Sequence, residues 1–517
     1  MPGYAAVNDD RGSSRPPSNG WPARGRRRQY SRGAKDNGNF GQASWISSVI
    51  NLVNTIVGAG VLAMPSAMSH MGIILGTFVI LFAGVTAGFG LYLQTRCAKY
   101  LDRGSSSFFA LSQMTYPSAA IIFDAAIAVK CFGVGVSYLI IIGDLMPGVV
   151  RAFSERAGEI DFMVDRHFWV TAFMLIVIPL SFLRRLDSLK YTSIVALVSI
   201  GYLVILVLAH FLKGDTMEDR GAIRIIQWGG AVPTLSSFPV IVFAYTCHQN
   251  MFSILNEIKD NSHRSTTSVV SASIGSSGLI YILVAITGYL SFGNNVAGNL
   301  IGMYPPAIAS TIGKAAIVVL VMFSYPLQVH PCRASIDAVL KWRPSSFHSS
   351  SSREPANSSP SRTLLLGPAR SHHSSRSATA AADGGMSDTR FAAITSVVII
   401  ASYVVAMTVS SLEMVLAYVG STGSTSISFI LPGLFYYKIS DPDSAHTQRL
   451  LKEDDDERAA GDQSDSGDEE TLLGGGGPKG GQWRKNLLRR LSLALALYGF
   501  VVMVVCLVTN TFFIVAH

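Results

Sequence analysis

Eleven long apolar segments constrain this chain more than any other feature. Each is close to or above the roughly 20 residues that a helix needs to cross about 30 Å of hydrocarbon. They run over residues 45–68, 72–95, 117–149, 167–183, 191–212, 232–255, 267–290, 307–329, 391–412, 414–437 and 491–516. Backbone groups in lipid must be hydrogen-bonded within their own segment, so we predict eleven transmembrane helices and an all-α integral membrane fold. The alternating segments of about 10 residues that indicate a β-barrel are not seen.

Composition and charge exclude several other classes of protein. Hydrophobic residues make up 49% of the chain and charged residues only 14%, whereas soluble domains carry about 25% charged residues. If the N-terminus is cytoplasmic, 33 of the 41 Lys and Arg residues fall in cytoplasmic tails and loops and six fall on the opposite face. This asymmetry is typical of membrane proteins. We therefore expect a cytoplasmic N-terminus, a lipid bilayer around the helices and no nucleic-acid partner.

Polar segments divide the chain and cannot bury enough apolar surface to fold alone. We predict six parts, namely a disordered basic cytoplasmic N-terminus at 1–44, transmembrane helices one to eight at 45–329, a disordered Ser-rich cytoplasmic loop at 330–390, helices nine and ten at 391–437, a disordered acidic and Gly-rich cytoplasmic loop at 438–490, and helix eleven at 491–517. No cleavable signal peptide is visible, so the first span is expected to act as its own signal. Asp468–Leu473 fits an acidic dileucine pattern, which makes it a candidate site for a sorting adaptor.

Catalytic and metal-binding motifs are missing from the sequence. The five cysteines are scattered without a CxxC pair, so we predict neither a disulfide framework nor a metal site. Accessible loops carry no nucleophile elbow, no HExxH and no paired catalytic carboxylates. We predict that the protein is not an enzyme, with no catalytic residue and no cofactor.

The first and sixth apolar segments are interrupted. The first contains Asn54-Thr55-Ile-Val-Gly58-Ala59-Gly60, followed by Pro65. Glycine weakens a helix, and proline removes a backbone donor, although a kinked packing helix is the alternative explanation. The sixth reads Phe243-Ala-Tyr-Thr-Cys247-His248-Gln-Asn250. This polar run is costly in lipid, so it should face protein or a water-filled cavity.

Interruptions in spans one and six are expected when spans 1–5 and 6–10 form two inverted repeats. In such transporters, half-helix N-termini face a substrate carboxylate, while unwound carbonyls and short polar side chains bind a coupling ion. The eleventh span is then an accessory. We predict a substrate site formed by Asn54, Thr55, Gly58, Ala59, Gly60, Phe243, Cys247 and His248.

Four stretches carry a resemblance to a known family. They are residues 54–65, 133–144, 243–250 and 418–433, and they occur in order at spans one, three, six and ten. At these residues the chain resembles the amino acid/auxin permease family, in the branch with sodium-coupled neutral amino acid transporters and fungal vacuolar amino acid transporters. The resemblance implies a LeuT-like core of five plus five inverted helices with one accessory helix. It also implies alternating-access symport of an amino acid with a cation.

The resemblance further implies a coupling-ion site formed by Asn54 and Ser324. A threonine usually stands at the second position in the family, so the choice between H⁺ and Na⁺ stays open. The long Ser-rich loop before span nine is similar to that of fungal vacuolar members. It implies a vacuolar membrane and export from lumen to cytosol, with the plasma membrane as the alternative location. An amino acid receptor that signals through the cytoplasmic tails is the alternative function.

Several polar residues allow two interpretations. Asn54 serves as a ligand or forms an interhelical hydrogen bond. His248 carries the coupled proton or stabilises the helix break. Asp144, near the end of span three, takes part in proton coupling or in gating and packing. Glu413 is expected at the membrane interface.

Overall fold

The structure, a computed structural model, describes residues 41–101, 104–153, 158–184, 192–218, 220–341, 386–441 and 478–514. Within these residues the regular secondary structure is helical, apart from one β-bridge between Ala43 and Ile258. The α-helices, numbered in chain order, are α1 Trp45–Ile56, α2 Gly60–Met71, α3 Ile73–Ala98, α4 Phe108–Thr115, α5 Ala120–Phe153, α6 Arg166–Ser181, α7 Thr192–Lys213, α8 Ala231–Ala244, α9 His248–Glu257, α10 His263–Phe292, α11 Leu300–Met303, α12 Ile308–Lys341, α13 Asp388–Thr408, α14 Leu412–Val419, α15 Leu431–Ile439 and α16 Pro478–Val508.

The helices form a multi-pass membrane architecture. Nine helical segments of the described chain are long and apolar enough to cross a bilayer, and α1 with α2 forms a tenth candidate that bends by 56°. The predicted segment 167–183 corresponds to α6, which has only 16 residues and is shorter than a usual span. The helical multi-pass fold is therefore confirmed, whereas the count of eleven stays a prediction.

Two helices extend by more than ten residues into segments for which we predicted disorder. Helix α12 continues to Lys341 rather than ending at 329, and α16 begins at Pro478 rather than at 491. The predicted loops 330–390 and 438–490 are thus partly helical. Apolar runs mark only the part of a helix that lies in lipid, and proline is favourable at a first helical position. Residues 1–40 and the sorting segment Asp468–Leu473 lie outside the described residues.

The interrupted spans lie at the centre of the bundle. Of the twelve residues in α2, all except His70 are buried. A helix buried on every side has no polar face to present to water. Helix α2 packs against α8 and α10, and a Cβ on Gly288 would lie 2.6 Å from Cγ of Pro65. Pro65 therefore lies inside α2 in a tight helix contact, and the first span breaks before it.

The tenth span contains an irregularity that the sequence did not predict. Between α14 and α15 the backbone forms two π-helical turns, Gly420–Ser424 and Ser426–Ile430. Small residues permit close packing here, since a Cβ on Gly423 would lie 2.8 Å from both Cβ and the backbone nitrogen of Lys130 in α5. Such π-bulges are frequent at functional sites.

Candidate functional site

The first span breaks at Val57, Gly58 and Ala59. Helix α1 ends at Ile56 and α2 begins at Gly60. A Cβ on Gly60 would lie only 2.5 Å from Cβ of Ala244, the last residue of α8. Glycine is therefore required at position 60 so that the broken part of span one can approach span six.

The sixth span breaks beside it, at Tyr245, Thr246 and Cys247. Helix α8 ends at Ala244 and α9 begins at His248, as the polar run predicted. The carbonyl groups at the end of a helix have no partner within the helix and need another donor. The hydroxyl of Tyr281, in α10, lies within hydrogen-bond distance of the carbonyl oxygens of both Ile56 and Ala244. One buried tyrosine thus joins the two breaks.

A cavity of about 830 Å³ lies against both breaks. Seven of the predicted site residues line it, namely Asn54, Thr55, Gly58, Ala59, Gly60, Phe243 and Ser324. The cavity extends along α1, α9 and α12 to Gln42, Glu257 and Pro331 at one end of the bundle. Gln42 and Glu257 are exposed there, so this end is open. The size suits a small molecule, because ligand pockets commonly enclose roughly 300–1,000 Å³.

A second, small cavity of about 50 Å³ adjoins the first. It is bordered by both residues of the predicted coupling-ion site, Asn54 and Ser324. The Ser324 hydroxyl donates to the carbonyl oxygen of Leu320 at 2.8 Å and keeps its lone pairs for another partner. Val57 and Gly58 of the first break border the same space. Hard cations prefer such oxygen atoms as ligands. In the parts of the chain that the structure describes, no group of three or more His, Cys, Asp or Glu side chains is arranged to hold a metal ion.

Cys247 and His248 are the two predicted site residues that do not line the main cavity. Both are fully buried. The imidazole Nε2 of His248 lies 3.1 Å from the carbonyl oxygen of Ala87 in α3, and Gln94 donates to the backbone carbonyl of His248 at 3.3 Å. The sequence located the break correctly but could not show on which side of it the imidazole lies.

Lys130, Tyr138, Gln249 and Asn250 are among the residues that line the cavity but were not in the predicted set. The Asn250 amide donates to the Thr55 hydroxyl at 3.1 Å, so α9 is tied directly to α1. Tyr138 also borders the small cavity. Tyr138 and Asn250 belong to stretches that carried the family resemblance, so a signal for them was present in the sequence.

Two discontinuous membrane spans that face a common cavity define a class of helical membrane transporter in which substrate and ion bind at the helix breaks. Residues 41–454 match the family described as transmembrane amino acid transporter protein. The chain belongs to this family. The family is one of transporters, in agreement with the prediction that the protein is not an enzyme.

Curated relatives and a solved structure agree with this assignment. The chain is 40% identical to Vacuolar amino acid transporter 5 of Schizosaccharomyces pombe over 476 residues, which cover 91% of the chain and 95% of that protein. It is 42% identical to Vacuolar amino acid transporter 6 of Saccharomyces cerevisiae over 408 residues, or 77% and 90% of the two proteins. The crystal structure of MhsT in complex with L-phenylalanine superposes with a TM-score of 0.52 at 13% identity, covering 90% of the chain and 100% of MhsT. This last similarity concerns the fold alone.

Proposed function

We propose that the protein is a cation-coupled secondary active transporter that exports amino acids from the vacuole lumen to the cytosol by alternating access. The proposed architecture has eleven spans, of which the first ten form two inverted repeats of five and the last is an accessory. One observation carries the proposal: the main cavity ends at the breaks of spans one and six. The two vacuolar relatives support the location.

The half-helices give the site its electrostatic character. The N-termini of α2 and α9 carry partial positive charge, and the C-termini of α1 and α8 carry partial negative charge. All four termini lie at the cavity, since Gly60, Ile56, Ala244 and Gln249, the second residue of α9, line it. A zwitterionic amino acid presents a carboxylate and an ammonium group, which match these two kinds of helix terminus.

The coupling cation is assigned to the small cavity between Asn54 and Ser324. Amide and hydroxyl groups neither gain nor lose a proton near neutral pH, so they suit a sodium ion through their oxygen atoms. Proton coupling needs a titratable group in addition, and Lys130 lines the main cavity. We retain H⁺ and Na⁺ as the two candidates, and the assay below separates them.

The open end of the cavity indicates the side of the membrane to which this conformation is open. It lies at Gln42, Glu257 and Pro331, which the distribution of Lys and Arg assigns to the cytosol. At the other end of α2, backbone hydrogen bonds close the bundle. The N–H of Ile73 donates to the carbonyl oxygen of Arg224 at 3.1 Å, and the N–H of Gly229 donates to the carbonyl oxygen of His70 at 3.0 Å. We assign this conformation to the state from which substrate leaves into the cytosol.

The test uses the full chain reconstituted in lipid vesicles. Uptake of a panel of amino acids is measured with and without a pH gradient, and with and without a sodium gradient. We expect gradient-driven flux of at least one amino acid, which Asn54→Ala and Ser324→Ala reduce at least about tenfold. Ser440→Ala is the matched control, because its hydroxyl also donates to a carbonyl four residues earlier, at 2.6 Å, outside both cavities. Absence of gradient-dependent flux for every amino acid overturns the proposal.

A further inference from the structure

Lys130 places a cationic side chain in the wall of the main cavity. It lies in α5, within the candidate span 117–153, and is only 4% exposed. Among the residues that line the cavity, Lys130 and Glu257 are the two that carry a formal charge. Glu257 lies at the exposed open end, whereas Lys130 lies inside. An ionisable residue in a membrane span is costly and generally faces a partner or a functional cavity.

The surroundings of Lys130 provide no counter-charge. None of the described carboxylates forms an ion pair with it. It lines the same cavity as Thr246, a residue of the break in the sixth span. Burying an ammonium group without an anion is strongly unfavourable. A ligand that brings an anionic group into the cavity removes this cost.

Gln249 gives an independent indication of a polar ligand at the same place. It is the second residue of α9 and lines the cavity together with Lys130. Its amide oxygen and nitrogen are both buried, and neither has a hydrogen-bond partner among the described residues. Buried amides are nearly always hydrogen-bonded, so an unpartnered amide beside a cavity indicates a group that arrives with the ligand.

Lys314 shows how the fold treats a buried lysine that has a structural role. It lies in α12 and is 6% exposed, similar to Lys130. Its ammonium group donates to the carbonyl oxygen of Tyr304 at 2.9 Å, and it does not line the main cavity. Burial alone therefore does not leave a lysine without an acceptor in this protein. Lys130 differs because it faces the cavity.

We propose that Lys130 binds the side-chain carboxylate of an acidic amino acid, with Gln249 as an accessory hydrogen-bond partner. This rests on the proposed amino acid transport. The helix termini at the breaks accommodate the α-carboxylate and α-ammonium groups, so a second carboxylate is the group that Lys130 can neutralise. The same charge repels arginine and lysine as substrates. Lys130 therefore selects for acidic substrates and against basic ones.

Glutamate and glutamine provide a matched substrate pair, because they differ by one charge at nearly equal size. In vesicles at pH 7, we expect the wild type to prefer glutamate to glutamine, and Lys130→Gln to lose at least about tenfold in kcat/KM for glutamate. Glutamine transport should fall by less than glutamate transport, and arginine transport should rise. Opposite changes in glutamate and arginine transport distinguish a specificity role from a loss of folded protein, which would lower the transport of both. Lys130→Arg should retain the preference for glutamate, and Lys314→Gln is the control for loss of a buried lysine.

The outcomes separate this inference from the proposed function. If the wild type transports glutamine but not glutamate, or if Lys130→Gln leaves the glutamate-to-glutamine ratio unchanged, the assignment of Lys130 is wrong while amino acid transport stands. If the wild type transports no amino acid, the proposed function itself fails. If Lys130→Gln does not fold, a measurement on the wild type alone still tests the proposal. Glutamate should raise the melting temperature of the detergent-solubilised protein more than glutamine, and equal effects contradict the proposal.

Discussion

The hydroxyl oxygen of Tyr281 lies 2.6 Å from the carbonyl oxygen of Ile56, the last residue of α1. It also lies 2.8 Å from the carbonyl oxygen of Ala244, the last residue of α8. Tyr281 is fully buried. A single hydroxyl hydrogen is thus available to two helix ends, and the carbonyl oxygen of Ile56 also accepts from the N–H of Gly58 at 3.0 Å. Movement of either break changes the hydrogen bonding of the other.

Removing this hydroxyl should impair transport more than folding. For Tyr281→Phe we expect a loss of about 1–2 kcal/mol in stability, the usual cost of a lost buried hydrogen bond. Because the lost bond lies at both breaks, a fall in kcat/KM should accompany it. Thermal unfolding in detergent and vesicle uptake measure the two effects. Tyr202→Phe is the control, since its hydroxyl also donates to a backbone carbonyl, that of Ala309 at 2.8 Å, away from the breaks. Equal kinetic effects of the two variants would contradict the role of Tyr281.

The close approach of Gly60 to Ala244 leads to a second prediction. A Cβ at position 60 would lie 2.5 Å from Cβ of Ala244. Gly60→Ala should therefore force the two broken spans apart, at a cost of about 1–3 kcal/mol, and reduce transport at least about tenfold. Gly201→Ala in α7 is the control, because nothing lies within 4 Å of a Cβ built there. Normal uptake by Gly60→Ala would show that the contact is dispensable.

The helix breaks could be predicted from sequence because they depend on local chemistry. Glycines at 58 and 60 and the polar run at 247–250 weaken a helix wherever it packs. The prediction wrongly gave Pro65 a part in the first break, because whether a proline breaks a helix or packs within it depends on its neighbours. Here the neighbour is Gly288, far away in the sequence.

Other features depend on which helices meet, and no local pattern shows that. The bond from Tyr281 to two carbonyls requires α1, α8 and α10 to converge. The π-helical turns at 420–430 require close packing, since a Cβ on Gly420 would overlap the carbonyl oxygen of Pro239. In the same way, Lys130 could be recognised as an unusual residue within a span, but its position beside the cavity follows only from the packing of α5.

His248 should stabilise the fold without carrying the coupled proton. It is fully buried and does not line the cavity, and its Nε2 lies 3.1 Å from the carbonyl oxygen of Ala87. His248→Gln keeps a nitrogen donor near that carbonyl, so we expect the pH dependence of uptake to be unchanged. His248→Phe loses the bond and should lower stability by about 1–2 kcal/mol. A shift of the pH profile in His248→Gln at normal expression would restore the proton-carrier interpretation.

Asp144 forms an ion pair with Arg166, which bears on its two interpretations. Arg166 Nε lies 3.3 Å from an oxygen of Asp144, and another nitrogen of the guanidinium donates to the carbonyl oxygen of Val409 at 3.1 Å. The pair joins α5, α6 and the end of α13, so it favours packing or gating over proton transfer. Both side chains are partly buried, at 17% exposure for Arg166 and 27% for Asp144, so removal of one partner leaves the other charge poorly solvated.

A double-mutant cycle on Asp144→Asn and Arg166→Gln tests this interpretation. We expect each single variant to lower stability by about 1–3 kcal/mol, and the double variant to lose about 1 kcal/mol less than their sum. Asp144→Asn should keep the pH dependence of uptake, because a packing residue transfers no proton. Additive losses would show that the pair contributes no interaction energy. A flattened pH profile in Asp144→Asn with intact stability would instead identify Asp144 as the proton-coupling residue.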